Sequence, residues 1–144
     1  MGKVDPDNEV GFEVRTFPSD LKEACRAKEA IIARLREHFF DEQSVFGVTL
    51  ALEEALTNAV KHGNCCDCNK PVTVRFAVSA EKAIIVVRDE GVGFVPDQVP
   101  DCTSPERISV PNGRGIMLIR AYMDEVCYRA DGREVYMVKR RIAN

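Results

Sequence analysis

The chain has 144 residues, of which 45% are hydrophobic and 30% charged, and its formal net charge is −3. This is the composition of an ordinary globular protein, and the length fits one domain with a substantial core. The mildly acidic balance gives no reason to expect direct nucleic-acid binding. No apolar run approaches the roughly 20 residues that span a bilayer, so no membrane interaction is expected.

The polar N-terminus does not resemble a secretory signal, so we expect a cytoplasmic protein. Residues 1–9 are expected to form a flexible tail and residues 10–144 a single domain. In chain order, hydrophobic periodicity predicts a strand over 10–17, helices over 21–40 and 42–62, strands over 72–78 and 83–87, a helix over 113–123, and strands over 125–129 and 134–140.

Local signals refine these elements. Val14 is placed on the half-buried face of the first strand. Ser19 is a candidate N-cap for the first helix, and Gly63 is a candidate C-cap for the second. Residues 91–112 contain four prolines and few apolar side chains, which predicts a long loop of the kind that is usually functional.

The order of elements defines the expected fold class. The apolar run 83–87 predicts a strand that is buried on both faces. Helices fall in runs and do not alternate one-for-one with strands, which favours an α+β fold. We therefore expect a two-layer sandwich, with a mostly antiparallel mixed sheet and helices packed on one face.

Glu54 and Asn58 lie four residues apart in the second predicted helix, so their side chains share one face. A carboxylate there can orient or deprotonate a hydroxyl group, and a carboxamide oxygen can ligate Mg²⁺. A solvent-exposed polar pair is the alternative. The residues around Asn58 are nearly all apolar, however, which indicates a buried position where an amide needs partners.

Asp89 follows the apolar run 83–87 and is followed by Gly91 and Gly93. A carboxylate at a strand end can accept a hydrogen bond from an exocyclic amine, the feature that distinguishes adenine from guanine. The two glycines allow the backbone to turn sharply beside a flat base. A plain turn is the alternative interpretation of this segment.

Gly113, Arg114 and Gly115 begin the third predicted helix, directly before Ile116. Free backbone N–H groups and the helix dipole at such a position favour phosphate, with which Arg114 could also pair. A glycine-hinged loop exit is the alternative. The chain has no G-x-x-x-x-G-K-[ST] segment, so a P-loop site is excluded.

Six cysteines are present, and without an export signal free thiols are the preferred interpretation. Cys65, Cys66 and Cys68 form the only cluster. Two of its thiols have the C-x-x-C spacing of half a zinc site, but no second pair stands at a matching distance. A Cys-rich polar loop is therefore preferred over a bound metal.

In this order, the segments at 54–58, 89–93 and 113–116 resemble the N, G1 and G2 boxes of the GHKL (Bergerat-fold) ATPase superfamily. That superfamily contains gyrase, the Hsp90 chaperones, histidine kinases and MutL. The residues of the boxes and the single-domain length of the chain are most similar to the anti-sigma-factor serine/threonine kinase branch of this superfamily. The similarity covers roughly residues 10–141 and implies ATP and Mg²⁺ as cofactors.

The resemblance implies Glu54 as general base, Asn58 as the Mg²⁺ ligand and Asp89 as the adenine reader. Residues 95–112 would form a lid over ATP. One departure is Gly132-Arg133, which stands where many relatives have a Gly-Thr pair whose Thr helps to bind adenine. The remaining positions implied to bind cofactor are His62, Gly91, Gly93, Gly113, Arg114, Gly115 and Ile116.

The function implied by the resemblance is a protein serine/threonine kinase. Such a kinase phosphorylates a small anti-anti-sigma (STAS-type) protein and sequesters a sigma factor, and it commonly forms a homodimer. A non-catalytic, nucleotide-gated interaction module is the first alternative. The second is a histidine-kinase-type ATPase domain, which is disfavoured because neither His38 nor His62 is placed as a phosphoacceptor.

Overall fold

The computed structural model describes residues 11–65, 67, 69–91 and 113–142, and for residues 113–116 and 131 it describes the backbone alone. The predicted tail over 1–9 lies outside these residues. So do almost all of the predicted loop over 91–112 and the whole of the predicted lid over 95–112.

Five strands and three α-helices make up the described part of the chain, in the predicted order. Their bounds are β1 (Glu13–Pro18), α1 (Leu21–Glu37), α2 (Glu42–Thr57), β2 (Pro71–Val78), β3 (Lys82–Arg88), α3 (Gly113–Tyr122), β4 (Glu125–Arg129) and β5 (Glu134–Arg140). A π-helical turn, Asn58–Gly63, extends α2, and a 3-10 turn, Ala130–Gly132, joins β4 to β5.

The strands form one sheet in the order β1-β2-β3-β5-β4. Each of the four described strand pairings is antiparallel, where a mostly antiparallel mixed sheet was expected. The predicted α+β sandwich is confirmed, because the apolar side chains of α1 and α2 join one core with those on the inner face of the sheet. Burial of this apolar surface is the main favourable term in folding.

The central strand β3 is buried on both faces, as predicted from its continuous apolar run. Ile85, in the core shared with the helices, has no exposed surface, and Val86, on the opposite face, is 1% exposed. The outer face also carries Glu134, which is only 6% exposed. Its carboxylate pairs with Arg129 at 2.8 Å, Arg75 at 3.1 Å and Arg88 at 3.8 Å.

The start of α1 differs from the prediction. Its N-cap is Asp20, whose side chain accepts a hydrogen bond from the Lys22 amide at 2.8 Å. Ser19 was the predicted cap, but its hydroxyl is buried and donates to the Lys70 carbonyl at 2.5 Å. Two adjacent residues could both cap this helix, and the long-range bond of Ser19 decides between them.

One further element end and one burial expectation were predicted wrongly. The first helix ends at Glu37 and does not reach Phe40, because Phe39 adopts a left-handed backbone conformation with φ 62°. Val14 is 58% exposed, because it lies opposite Arg75 on the outer face of the sheet, whereas Phe17 is the β1 residue that faces the core. The expectation that Val14 lies on a half-buried face was therefore wrong.

None of the helices in the part of the chain that the structure describes is long and apolar enough to cross a membrane.

Candidate functional site

One pocket brings together residues from both halves of the chain. It lies at the end of the sheet where α2 passes into the π-helical turn and where β3 ends. Its described lining consists of Ala55, Asn58, Ala59, His62, Gly63, Val87, Asp89, Ile119, Tyr128, Gly132, Arg133 and Val135. The elements that contribute these side chains are α2, the π-helical turn, β3, α3 and the β4–β5 hairpin.

Most of the pocket wall is apolar. Val87, Ile119, Ala59 and Val135 are all at least 93% buried and belong to the main hydrophobic core. Such a wall can enclose a flat aromatic ring, and polar groups placed at a few points then fix the orientation of the ligand.

Asp89 is the buried acceptor of this pocket, with 8% of its surface exposed. Its amide donates to the Arg133 carbonyl at 2.9 Å, and its Oδ1 accepts from the Gly91 amide at 2.8 Å. Burial raises the pKa of the Asp89 carboxyl above its ordinary value of 3.8, while the Gly91 amide bond and the charge of Arg133 oppose this shift. The carboxylate is thus held in a fixed orientation in an apolar setting, as a specific hydrogen-bond acceptor requires.

Two glycines allow the chain to pack closely around Asp89. A Cβ atom on Gly63 would overlap the Asp89 carboxylate, and a Cβ atom on Gly91 would overlap the Gly63 carbonyl oxygen. Gly91 therefore packs against Gly63 and Asp89, two residues of the pocket lining, and its predicted role in binding stays a prediction. Gly63 does not act as the predicted left-handed C-cap, because it belongs to the π-helical turn and the C-cap is Asn64, with φ −88°. Gly93 lies outside the described residues.

The first predicted motif lies at the junction of α2 and the π-helical turn. Asn58 and His62 both line the pocket. The backbone N–H of Asn58 donates to the backbone carbonyls of Glu54 and Ala55. Asn58 is half-buried and His62 exposed, so the expectation that Asn58 is buried was too strong. Single π-helical turns within helices occur frequently at functional sites.

Glu54 lies one helical turn before Asn58 and is half-buried. It is not among the described residues that line the pocket. The structure therefore brings Asn58, His62 and Asp89 together and leaves Glu54 at the edge of this group.

The third predicted motif forms the first turn of α3. Gly113, Arg114, Gly115 and Ile116 have helical backbone, so the predicted helix start is confirmed, although their side chains lie outside the description. Ile119, one turn further on, is 1% exposed and lines the pocket. Ile119, in the C-terminal half of α3, is the only described α3 side chain in the pocket lining, so a role of the 113–116 turn in the site stays a prediction.

Tyr128 was not predicted as a site residue. It lines the pocket, and burial raises the pKa of its hydroxyl to about 12, so it stays protonated at neutral pH. The Arg120 guanidinium lies 6.0 Å from the centre of its ring. Tyr128 lies in a short strand near the C-terminus, and only the folding of the β4–β5 hairpin onto α2 brings it to the site.

Arg133 was noted in the sequence only as a departure from a Gly-Thr pair. In the structure, Gly132 and Arg133 both line the pocket. The Arg133 side chain donates to the Gly91 carbonyl at 3.5 Å and to the Ala130 carbonyl at 3.1 Å. This position therefore connects the β4–β5 hairpin to the turn that follows Asp89.

The described residues contain no group of three His, Cys, Asp or Glu side chains that could hold a metal ion. Cys25, Cys65 and Cys127 are free and exposed. Cys66 and Cys68 lie outside the described residues, so the preference for a Cys-rich loop over a metal site stays a prediction.

The described part of the chain is an α+β domain in which a strand-end carboxylate and a helix junction meet at one pocket. The sequence profile of the histidine kinase-like ATPase domain matches residues 16–139. The chain belongs to this family, and it is of the GHKL type expected from the three boxes.

Two similar proteins come from the branch indicated by the sequence. The chain is 32% identical over 102 residues to the serine-protein kinase RsbW of Bacillus subtilis, an alignment that covers 66% of this chain and 62% of that protein. It is 30% identical over 141 residues to an anti-sigma F factor of Clostridium perfringens (strain 13), which covers 93% of this chain and 97% of that protein. Both relatives are named for the anti-sigma and serine-kinase branch that the three boxes resemble.

Proposed function

We propose that this protein is an ATP-dependent serine/threonine kinase of the anti-sigma type. It would phosphorylate a small STAS-type antagonist protein and, in its other state, sequester a sigma factor in the cytoplasm. The observation that carries this proposal is the buried Asp89 carboxylate within an apolar pocket, which suits an adenine ring. The names of the relatives support the reaction and the partners.

The chemistry of the pocket fits an adenine nucleotide. Asp89 supplies an acceptor for the exocyclic amine of adenine, whereas guanine presents a carbonyl oxygen at the corresponding position. Gly63 and Gly91 carry no side chains, so their backbone packs closely around Asp89 and keeps its carboxylate in the pocket wall. The apolar wall would exclude water from both faces of the ring.

The phosphate end of the site would be formed by three sets of residues. The first turn of α3 (Gly113, Arg114, Gly115 and Ile116) offers backbone N–H groups to phosphate. Asn58 would ligate Mg²⁺ through its amide oxygen, and His62 would border the same region. When bound, magnesium neutralises phosphate charge during phosphoryl transfer.

Glu54 is the proposed general base. It would accept the proton of the acceptor hydroxyl and orient that oxygen toward the transferred phosphoryl group. One helical turn separates Glu54 from Asn58, so the two side chains share one helix face. Glu54 would reach the acceptor hydroxyl and Asn58 the metal from that face.

A second function is favoured by one specific observation. Glu54 does not line the described pocket, and a nucleotide-gated binder would need no catalytic base. In that case the chain would sequester its partner according to the bound nucleotide and would transfer no phosphate.

A phosphotransfer assay separates the two functions. The purified chain is incubated with labelled ATP, Mg²⁺ and STAS-domain proteins encoded in the same genome, and label on the acceptor is followed over time. We expect transfer by the unaltered chain and a loss of at least about a hundredfold in Glu54→Gln. Glu53→Gln is the matched control, because Glu53 is exposed and pairs only with Lys28 at 3.0 Å among the contacts described.

The two functions give opposite results in that assay. Equal transfer by Glu54→Gln and Glu53→Gln would remove Glu54 from catalysis. Nucleotide-dependent sigma binding without transfer to any STAS protein would favour the binder over the kinase.

A homodimer is part of the proposal. β1 is one of the two edge strands of the described sheet, and Val14 on it is 58% exposed. Leu21, at the start of α1, is 44% exposed. An edge strand with apolar neighbours is a suitable surface for pairing with a second chain.

A further inference from the structure

Asn64 is a completely buried polar residue that follows the π-helical turn. A buried amide is costly unless its donors and its acceptor are satisfied. Both the Nδ2 group and the Oδ1 atom of Asn64 have hydrogen-bond partners, and these partners lie in different parts of the fold. Neither the sequence motifs nor the family resemblance assigned it a role.

The Nδ2 group of Asn64 faces three partners, Ser19, Lys70 and Pro71, which together are called the anchor. It lies 2.9 Å from the Ser19 hydroxyl, 2.9 Å from the Lys70 carbonyl and 3.0 Å from the Pro71 carbonyl. Two of these partners are backbone carbonyls, which can only accept, so the amide nitrogen must point toward them. The anchor joins the start of α1 to the start of β2.

The Oδ1 atom of Asn64 faces the other way, toward the pocket. It accepts a hydrogen bond from the Glu90 amide at 2.8 Å. Glu90 directly follows Asp89, so this bond holds the turn that carries the buried carboxylate of the pocket.

The three amides of this turn have three different partners. The Asp89 amide donates to the Arg133 carbonyl at 2.9 Å, and the Gly91 amide donates to Asp89 Oδ1 at 2.8 Å. The Glu90 amide depends on a side chain, that of Asn64. Removal of the Asn64 side chain would leave the Glu90 amide without that partner and would free the turn from the helix end.

We propose that Asn64 is the positioning residue that sets the adenine specificity of this site, by fixing the Asp89–Gly91 turn against the end of the helix that carries Asn58. This inference rests on the proposed function, since it assumes that Asp89 reads adenine. Asn64 itself is not among the described residues that line the pocket. It acts through the orientation of the Asp89 carboxylate.

The competing account is that Asn64 only stabilises the fold. Ser19→Ala provides the matched control, because it removes a hydrogen-bond partner from the anchored side of Asn64 and leaves the bond to Glu90 in place. Both Asn64→Ala and Ser19→Ala are expected to lower the melting temperature. Loss of adenine selectivity is expected from Asn64→Ala alone.

The experiment measures dissociation constants for ADP and GDP by calorimetry, at a temperature at which circular dichroism confirms that each variant is folded. We expect Asn64→Ala to weaken ADP binding by about tenfold or more and to leave GDP binding nearly unchanged. Ser19→Ala should stay within about threefold of the unaltered chain for both nucleotides. If Asn64→Ala does not fold, Asn64→Ser is measured in its place. The serine side chain is polar but too short to accept the hydrogen bond from the Glu90 backbone amide.

A double-mutant cycle with Asp89→Asn adds a readout that a purely structural role would not change. If Asn64 acts through the Asp89 carboxylate, Asn64→Ala should cost no further ADP affinity in the Asp89→Asn background. Equal ADP affinities of the Asn64 and Ser19 variants, or additive losses in the cycle, would overturn the inference alone. Failure of the unaltered chain to bind ADP would overturn the proposed function together with it.

Discussion

The α-carbon of Gly63 lies directly against the carboxylate of Asp89, so that no side chain fits between the two residues. Gly63 ends the π-helical turn that follows α2, and Asp89 follows the last residue of β3. This contact joins the helical layer to the sheet at the point where the pocket opens. The shape of the pocket therefore depends on a position where only glycine fits.

Gly63→Ala tests this dependence. The added methyl group must displace the Asp89 carboxylate, and such overpacking costs about 1–3 kcal/mol of unfolding free energy. We expect adenine-nucleotide affinity to fall by about tenfold or more, as measured by calorimetry. Gly47→Ala is the overpacking control in α2, where the Cβ would lie 2.9 Å from the Tyr122 ring and where neither residue lines the pocket. An unchanged affinity in Gly63→Ala would contradict the assigned pocket.

The buried state of Asp89 predicts opposite pH effects on binding and on stability. Because burial raises the pKa of Asp89 above 3.8, protonation is favoured in the folded state. As pH falls through this raised pKa, the carboxylate is lost as an acceptor and adenine affinity should decrease. Over the same range the cost of burying a charge disappears, so this group should add stability.

Titrations at a series of pH values check both effects, with Asp89→Asn as the control. In that variant the acid-dependent loss of affinity should be absent, and affinity should be low at every pH. A fall in affinity of the same size and at the same pH in unaltered chain and variant would assign the titration to another group.

Asn58→Ala is expected to remove the magnesium dependence of nucleotide binding. Asn58 lines the pocket and is half-buried, so its amide oxygen can reach a ligand without a large rearrangement. ATP-analogue affinity would be compared with and without Mg²⁺ in the variant and in Thr57→Ala, a neighbouring half-buried residue outside this pocket lining. Persistent magnesium sensitivity in Asn58→Ala would leave Asn58 with a structural role only.

Glu134 is predicted to be important for stability and not for binding. Its buried carboxylate balances Arg75, Arg88 and Arg129 on the outer face of the sheet. Glu134→Gln removes this charge and should lower the unfolding free energy by about 2 kcal/mol, less than for a fully buried pair because the arginines are partly exposed. Urea denaturation would measure the change.

Glu125→Gln is the matched control for that stability test. Its ion pair with Arg140, at 2.7 Å, is exposed on both sides, so a change below about 1 kcal/mol is expected. Equal losses in the two variants would mean that the arginine cluster does not depend on the Glu134 charge.

Much of the fold could be predicted because its signals are local. The period of apolar residues distinguished the helices from the strands, and the unbroken run before Asp89 identified the strand that is buried on both faces. The strand-end position of Asp89 was predictable because it follows the apolar run 83–87, and the helical position of Asn58 was predictable from the apolar period around it. Their roles in a site stay predictions, since a plain turn and an exposed polar pair were open alternatives for the two segments.

The residues that sequence analysis missed depend on contacts between distant segments. Asn64 resembles an ordinary loop residue, and its role emerges from partners 45 and 26 positions away, Ser19 and Glu90. Ser19 was assigned as a helix cap because local rules do not include its bond to Lys70. Tyr128 reaches the pocket only after the β4–β5 hairpin packs against the helices. Long-range pairing of this kind cannot be derived from propensity or from period.

The most direct test of the central claim is a calorimetric titration of the chain with a non-hydrolysable ATP analogue and with the matching GTP analogue, each with and without Mg²⁺. The account predicts magnesium-dependent binding of the adenine nucleotide, weak or undetectable binding of the guanine nucleotide, and loss of this preference in Asp89→Asn. Equal binding of both nucleotides, or binding of neither, would contradict the assignment of Asp89 as the adenine-reading residue.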